Sequence, residues 1–167
     1  MHAHLHAQRR HLIYGLGAAA LLAGCGFQLR QAPHLNFQRI ALAMPATSLA
    51  LELRRQLEGI EGIEVVPDTA RAQIVLHSAG EQRERTVVGR NASGEVREYQ
   101  LRIRFAFRLQ AADGNEVLPS TEILRQMDQS YSETAALSKE TEALMLYKNM
   151  QGDIAQQVIR RLSTIQL

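Results

Sequence analysis

The stretch "VREYQLRIRFAFRLQ", residues 96–110, decides the fold. In an extended chain Tyr99, Leu101, Ile103, Phe105, Phe107 and Leu109 point one way, while Glu98, Gln100, Arg102, Arg104 and Arg108 point the other. That alternation predicts a long strand with one buried and one wet face. Its partner is "AQIVLHSAGEQRERTVVGR", residues 72–90, joined to it through the turn-rich "NASG". A third candidate strand, "STEILRQMDQSYS" at 120–132, follows the turn around Asp113, Gly114 and Asn115 and alternates less cleanly.

Upstream, "QRIALAM" at 38–44 predicts a strand closed by Pro45. Thr47 or Ser48 can cap the helix that follows, in which Leu49, Leu53 and Leu57 recur every fourth residue until Gly59 stops it. "IEVV", residues 63–66, reads as a short strand closed by Pro67 and Asp68. Downstream, Leu137, Leu144, Tyr147, Ile154, Ala155, Val158, Leu162 and Ile165 fall in one arc of a helical wheel, which predicts an amphipathic helix of about 25 residues. Leu146 falls on the opposite side and is expected to be exposed. Gly152 weakens the middle of that helix by roughly 1 kcal/mol relative to Ala.

This order predicts an α+β domain, with two helices packed on one face of a mainly antiparallel sheet. The other face is left open. It carries Arg102, Arg104 and Arg108, with Arg83, Arg85 and Arg90 on the presumed partner strand. Guanidinium groups suit phosphates and carboxylates, because they stay charged and bind bidentately. The alternative is a solvated face neutralised by Glu81, Glu84 and Glu98.

The first 24 residues predict a cleaved lipoprotein signal peptide. "MHAHLHAQRRH" supplies a basic start and "LIYGLGAAALLA" a 12-residue apolar core, too short for a lasting span. Its four histidines could suggest a metal tail, but they lie in the part expected to be removed. Residues 25–167 then form a single domain behind a short tether, with no disulfide because the chain has one cysteine. Taking Arg9 and Arg10 from the 19 basic residues leaves 17, equal to the 17 acidic ones, so the basic balance of the whole chain does not argue for a nucleic-acid partner. Leu22-Ala23-Gly24-Cys25 resembles the bacterial lipobox, which implies that Cys25 is a lipid attachment point and not a nucleophile. Two or more acyl chains hold a protein stably at a membrane where one does not. Gly26, in place of the aspartate that often retains lipoproteins at the inner membrane, favours the periplasmic side of the outer membrane.

Catalytic and cofactor motifs are missing from the sequence: no GxSxG elbow, no HExxH, no glycine-rich phosphate loop, and beyond the leader only His34 and His77. "NAS" at 91–93 reads as a turn and not as a glycosylation acceptor. The expectation is a protein that is not an enzyme, with no cofactor and no metal.

"CGFQLR" at 25–30, "LRRQLE" at 53–58, "GRNASGEVREYQLRIRF" at 89–105 and "ALSKETEALMLYKNMQGDIAQQVIRRL" at 136–162, in that order and spacing, resemble the LptE family of lipopolysaccharide-assembly lipoproteins. The resemblance implies two helices on a four-stranded sheet. It further implies a plug and assembly partner of the LptD β-barrel in the outer membrane, taking part in lipopolysaccharide delivery to the outer leaflet. By the same resemblance Arg90 in "GRN" and Lys139 in "ALSKE" contact lipopolysaccharide, whose phosphates and carboxylates a protein cation could take over from divalent ions. The hairpin tip, "NASGEVR", is longer than in some relatives. The competing expectation is a generic lipid-anchored scaffold lipoprotein with no lipopolysaccharide-binding role. A wide apolar patch on the fold would favour an obligate partner.

Overall fold

The computed structural model describes residues 34–166. The expected signal peptide, Cys25 and most of the tether lie outside the described residues. The elements are β1 (Arg39–Ala43), α1 (Ser48–Glu58), β2 (Glu64–Val66), β3 (Ile74–Arg90), β4 (Val96–Ala111), β5 (Glu116–Ser130) and α2 (Ala136–Leu162). Thr47 is the cap of α1, its hydroxyl accepting from the Ala50 N–H at 3.2 Å.

The α+β class and the two helices match the expectation, but the sheet has five strands in the order β2-β1-β3-β4-β5 and is mixed, not four-stranded. β1 pairs in parallel with both β2 and β3, whereas β3–β4 and β4–β5 are antiparallel. The reason lies in the connections. α1 carries the chain back to the starting end between β1 and β2, as a parallel pair requires, and the short segment between β2 and β3, with a single 3₁₀ turn at Thr69–Arg71, returns it to the far side of β1. β5 begins earlier than expected and includes Pro119, which an edge strand tolerates because its outer N–H needs no partner.

One face of the sheet and both helices enclose the main core. Leu101, Ile103, Phe105, Phe107 and Leu109 of β4 are fully buried, as are Leu49, Leu53 and Leu57 of α1. In α2 the buried stripe is Ala143, Met150, Gln151, Ile154, Ala155, Val158, Ile159 and Leu162. This corrects the expected arc at its N-terminal half: Leu137 is 87% exposed and Leu144 69%, while Leu146 is half-buried against the core. Leu144 lies one residue, about 100°, round the helix from Ala143. Ile165 is buried but lies beyond the helix, in a tail that Asn36 ties down by donating to the Ile165 carbonyl at 2.9 Å.

A bulge in β3 sets which side chains face the helices. Ser78 pairs with Phe107 and Gly80 with Ala106, so Ala79 is an extra residue, and Gly80 adopts φ 147°. Beyond it Glu81, Arg83 and Arg85 pair with Phe105, Ile103 and Leu101. Side chains of paired residues share a face, so Arg83 and Arg85 lie on the helix side of the sheet and not on the open face. Plain alternation from Ile74 and Leu76 would place them on the other side.

Candidate functional site

The candidate residues Arg90 and Lys139 lie at the same end of the molecule. Arg90 closes β3 where it pairs with Val96 across the hairpin tip. The tip is a turn, as read from the sequence: the Asn91 carboxamide oxygen accepts from the N–H groups of Ser93 at 3.1 Å and Glu95 at 2.9 Å, and Gly94 supplies the positive φ of 81°. The exposed Arg90 side chain folds back on this turn and donates to the Gly94 carbonyl at 2.7 Å. Just below the tip, the end of β5 meets the start of β4: Glu98 pairs with Ser130, and the Tyr131 N–H donates to the Arg97 carbonyl at 2.8 Å. From there the chain turns into α2, whose first residues include Lys139.

Lys139 is the more enclosed of the two, with its side chain 20% exposed. Its ammonium donates to the Ser130 hydroxyl at 3.0 Å and to the Glu142 carboxylate at 2.8 Å. Its carbonyl accepts from the Gln129 carboxamide at 2.6 Å, and Gln129 is 1% exposed. Arg90 and Lys139 therefore share an end of the fold but have separate hydrogen-bonding partners. An incoming phosphate would compete with a backbone carbonyl at Arg90 and with a carboxylate at Lys139, and anionic oxygens are the stronger acceptors for a cation.

Beside Lys139 stands a cluster that sequence reasoning missed. The Arg85 guanidinium lies 4.0 Å from the Tyr99 ring centroid and 5.8 Å from that of Tyr131, and the two rings meet edge to face at 5.1 Å. Arg85 donates to Glu140 on α2 at 2.5 Å, a contact that raises the guanidinium pKa above its ordinary value despite partial burial. Arg83 pairs with Glu81 at 3.1 Å and donates to the Ser48 hydroxyl at 2.7 Å, while Tyr147 donates to the Glu84 carbonyl at 2.8 Å. The glycine at position 80 inside a strand was the available signal, since an isolated strand glycine often marks a bulge.

On the open face, Arg104 pairs with Glu122 at 3.3 Å and Arg102 donates to the Gln100 carboxamide. Glu81 does not neutralise this face, because the bulge turns it to the helix side with Arg83. Nor is the face wholly wet: Ala41, Val66, Ala72 and Val75 form a small second apolar cluster, apart from the main core. On the helical layer, Leu51 of α1 and Leu144 of α2 are 65% and 69% exposed and line one groove of about 350 Å³ with Arg83, Tyr147 and Lys148. Leu137 and Met145 of α2 are exposed as well.

Among the described residues no cluster of three or more histidine, cysteine or acidic side chains could hold a metal ion, and no helix is long and apolar enough to cross a membrane.

Known proteins share this architecture. The profile of the family described as LptE, Lipopolysaccharide-assembly, matches residues 37–162. An LPS-assembly lipoprotein LptE from Yersinia enterocolitica is 29% identical over 165 residues, covering 95% of this chain and 78% of the relative. Its counterpart from Yersinia pestis strain Pestoides F is 30% identical over 157 residues, covering 90% and 74%. Among solved structures, a lipoprotein B from Nitrosomonas europaea superposes with a TM-score of 0.72 at 31% identity, covering 83% of this chain and 90% of the other. The rare lipoprotein B from Shewanella oneidensis gives 0.66 at 21% identity, over 76% and 95%, a likeness of fold. The match runs from two residues before β1 to the last residue of α2 and includes both candidate cations, so the chain belongs to the LptE family of lipopolysaccharide-assembly proteins.

Proposed function

We propose that this protein is an outer-membrane lipoprotein that serves as plug and assembly partner of an LptD-like β-barrel and takes part in moving lipopolysaccharide to the outer leaflet. In this reading residues 1–24 are a signal peptide, Cys25 carries the lipid anchor, and the domain faces the periplasm. It acts by binding and placing its ligand, with no catalysis, no cofactor and no nucleic acid. Arg90 and Lys139 contact the phosphates or carboxylates of lipopolysaccharide.

The observation that carries the reading is the placement of those two cations, one exposed at the hairpin tip and one at the start of α2, at a single end of a fold shared along almost its whole length with lipopolysaccharide-assembly relatives. The exposed leucines on the helical layer give a partner protein an apolar surface to cover, as an obligate assembly partner would need.

Charge reversal tests the ligand contacts. The full-length double variant Arg90→Glu, Lys139→Glu is expected to keep its circular dichroism spectrum and lose most of its retention of lipopolysaccharide relative to the unmodified protein. Equal retention by the folded variant removes both residues from the site and leaves a lipid-anchored scaffold without a lipopolysaccharide role.

A further inference from the structure

Helix α2 begins without a side-chain cap. Ala135 occupies its N-cap position and makes no capping hydrogen bond. A 3₁₀ turn, Glu133–Ala135, runs straight into it and the Ala136 N–H donates to the Glu133 carbonyl, so what holds this end of the helix against the sheet is side-chain contact from the strands. Two such contacts fall on adjacent residues. From β5, the buried Gln129 donates to the Lys139 carbonyl at 2.6 Å. From β3, Arg85 donates to the Glu140 carboxylate at 2.5 Å. The two strands flank β4, where Gln129 pairs with Tyr99 and Arg85 with Leu101, so the start of α2 is clasped from both sides of β4.

Arg85 suits this task. Its guanidinium lies over Tyr99 at 4.0 Å and near Tyr131 at 5.8 Å, which holds the planar group from one side. Its Nε and Nη2 are buried with no hydrogen-bond partner in the protein, and its directed bond goes to α2. A guanidinium left partly unsatisfied in this way is not placed for its own stability, since buried donors without acceptors cost free energy. The Ala79 bulge turns it inward to reach the helix at all.

We infer that Arg85 is a positioning residue for Lys139: by clamping Glu140 it fixes the first turns of α2 on the sheet and so sets the point at which the neighbouring ammonium is offered to an anionic ligand. This rests on the proposed lipopolysaccharide contact of Lys139. The Lys139 ammonium reaches Ser130 of β5 only while its backbone stays against the end of that strand, whereas Glu142, three residues on in α2, moves with it, so a first turn freed from Arg85 lets the cation spread over many positions.

A double-mutant cycle on the full-length protein tests it, with lipopolysaccharide dissociation constants for the unmodified chain, Arg85→Met, Lys139→Met and the double variant. Arg85→Met is expected to weaken binding about fivefold, and the double variant to bind no more weakly than Lys139→Met alone, because residues coupled through one contact do not add. Glu140→Gln, which keeps size and fold while weakening the clamp, should weaken binding in the same direction. The charge-swapped pair Arg85→Glu, Glu140→Arg should recover part of the loss. If Lys139→Met weakens binding while Arg85→Met and Glu140→Gln do not, the clamp is overturned and the ligand contact stands. Losses that simply multiply in the double variant also overturn it. If Lys139→Met binds as the unmodified protein does, the ligand contact itself fails and the clamp's role with it.

Discussion

The rotational setting of α2 can be tested by two substitutions whose costs differ although both replace a large aliphatic side chain. Leu144 is a leucine at 69% exposure, and Ile154, ten residues on, is fully buried in the main core. Leu144→Lys removes little area from contact and should change stability by no more than about 0.5 kcal/mol. Ile154→Ala removes three carbons from a dry site. At roughly 0.8 kcal/mol for each buried carbon the transfer loss is about 2.4 kcal/mol, and the cavity left between helix and sheet brings the total to about 3 kcal/mol. For a domain of this size that lowers the melting temperature by roughly 10 °C. Urea unfolding followed by far-ultraviolet circular dichroism, with m-values held in common, measures both. A loss of about 2 kcal/mol or more in Leu144→Lys, or of less than about 1 kcal/mol in Ile154→Ala, would refute the helix setting described here.

Two further outcomes follow from single positions. A Cβ at Gly152 would come no closer than 3.9 Å to a foreign atom, the Glu52 carboxylate, so Gly152→Ala should stabilise the protein by up to about 1 kcal/mol in the same unfolding assay. Burial raises the Tyr147 phenol pKa above its ordinary value, against the opposing charges of Arg85 and Arg83, and the hydroxyl donates to the Glu84 carbonyl. Because the folded-state value is the higher one, this stabilisation is complete below about pH 10 and is lost as pH rises through the folded value. A phenolate absorbance titration should show one late-ionising tyrosine, absent in Tyr147→Phe.

β4 was legible because six apolar side chains alternate without a break, and α1 because Leu49, Leu53 and Leu57 sit every fourth residue and are all fully buried. β3 was legible as a strand but not in its facing. Between Leu76 and Val87 its helix-side residues are Ser78, Glu81, Arg83 and Arg85, so hydropathy gives no parity there, and only Gly80 hints at the extra residue. The parallel edge escaped for a different reason. β1 and β2 were found as strands, but five and three residues carry too little pattern to choose a pairing, which the α1 crossover decides. In α2 the eye follows Leu137 and Leu144, yet Ala143 and Met150 are the residues that meet the sheet. Arg90 and Lys139 were assigned by family resemblance alone, because an isolated arginine and lysine have no spacing that marks a ligand site. The Arg85 clasp needed the three-dimensional register, since Arg85 and Glu140 lie 55 residues apart.

Copurification with the barrel tests the plug role most directly. The full-length protein carrying an added affinity tag, extracted from membranes in mild detergent, should bring with it one large β-barrel at one copy to one, in a complex that survives high salt because apolar contacts hold it. A lone lipoprotein, recovered from membranes in which the barrel is demonstrably present, would contradict the plug and assembly role.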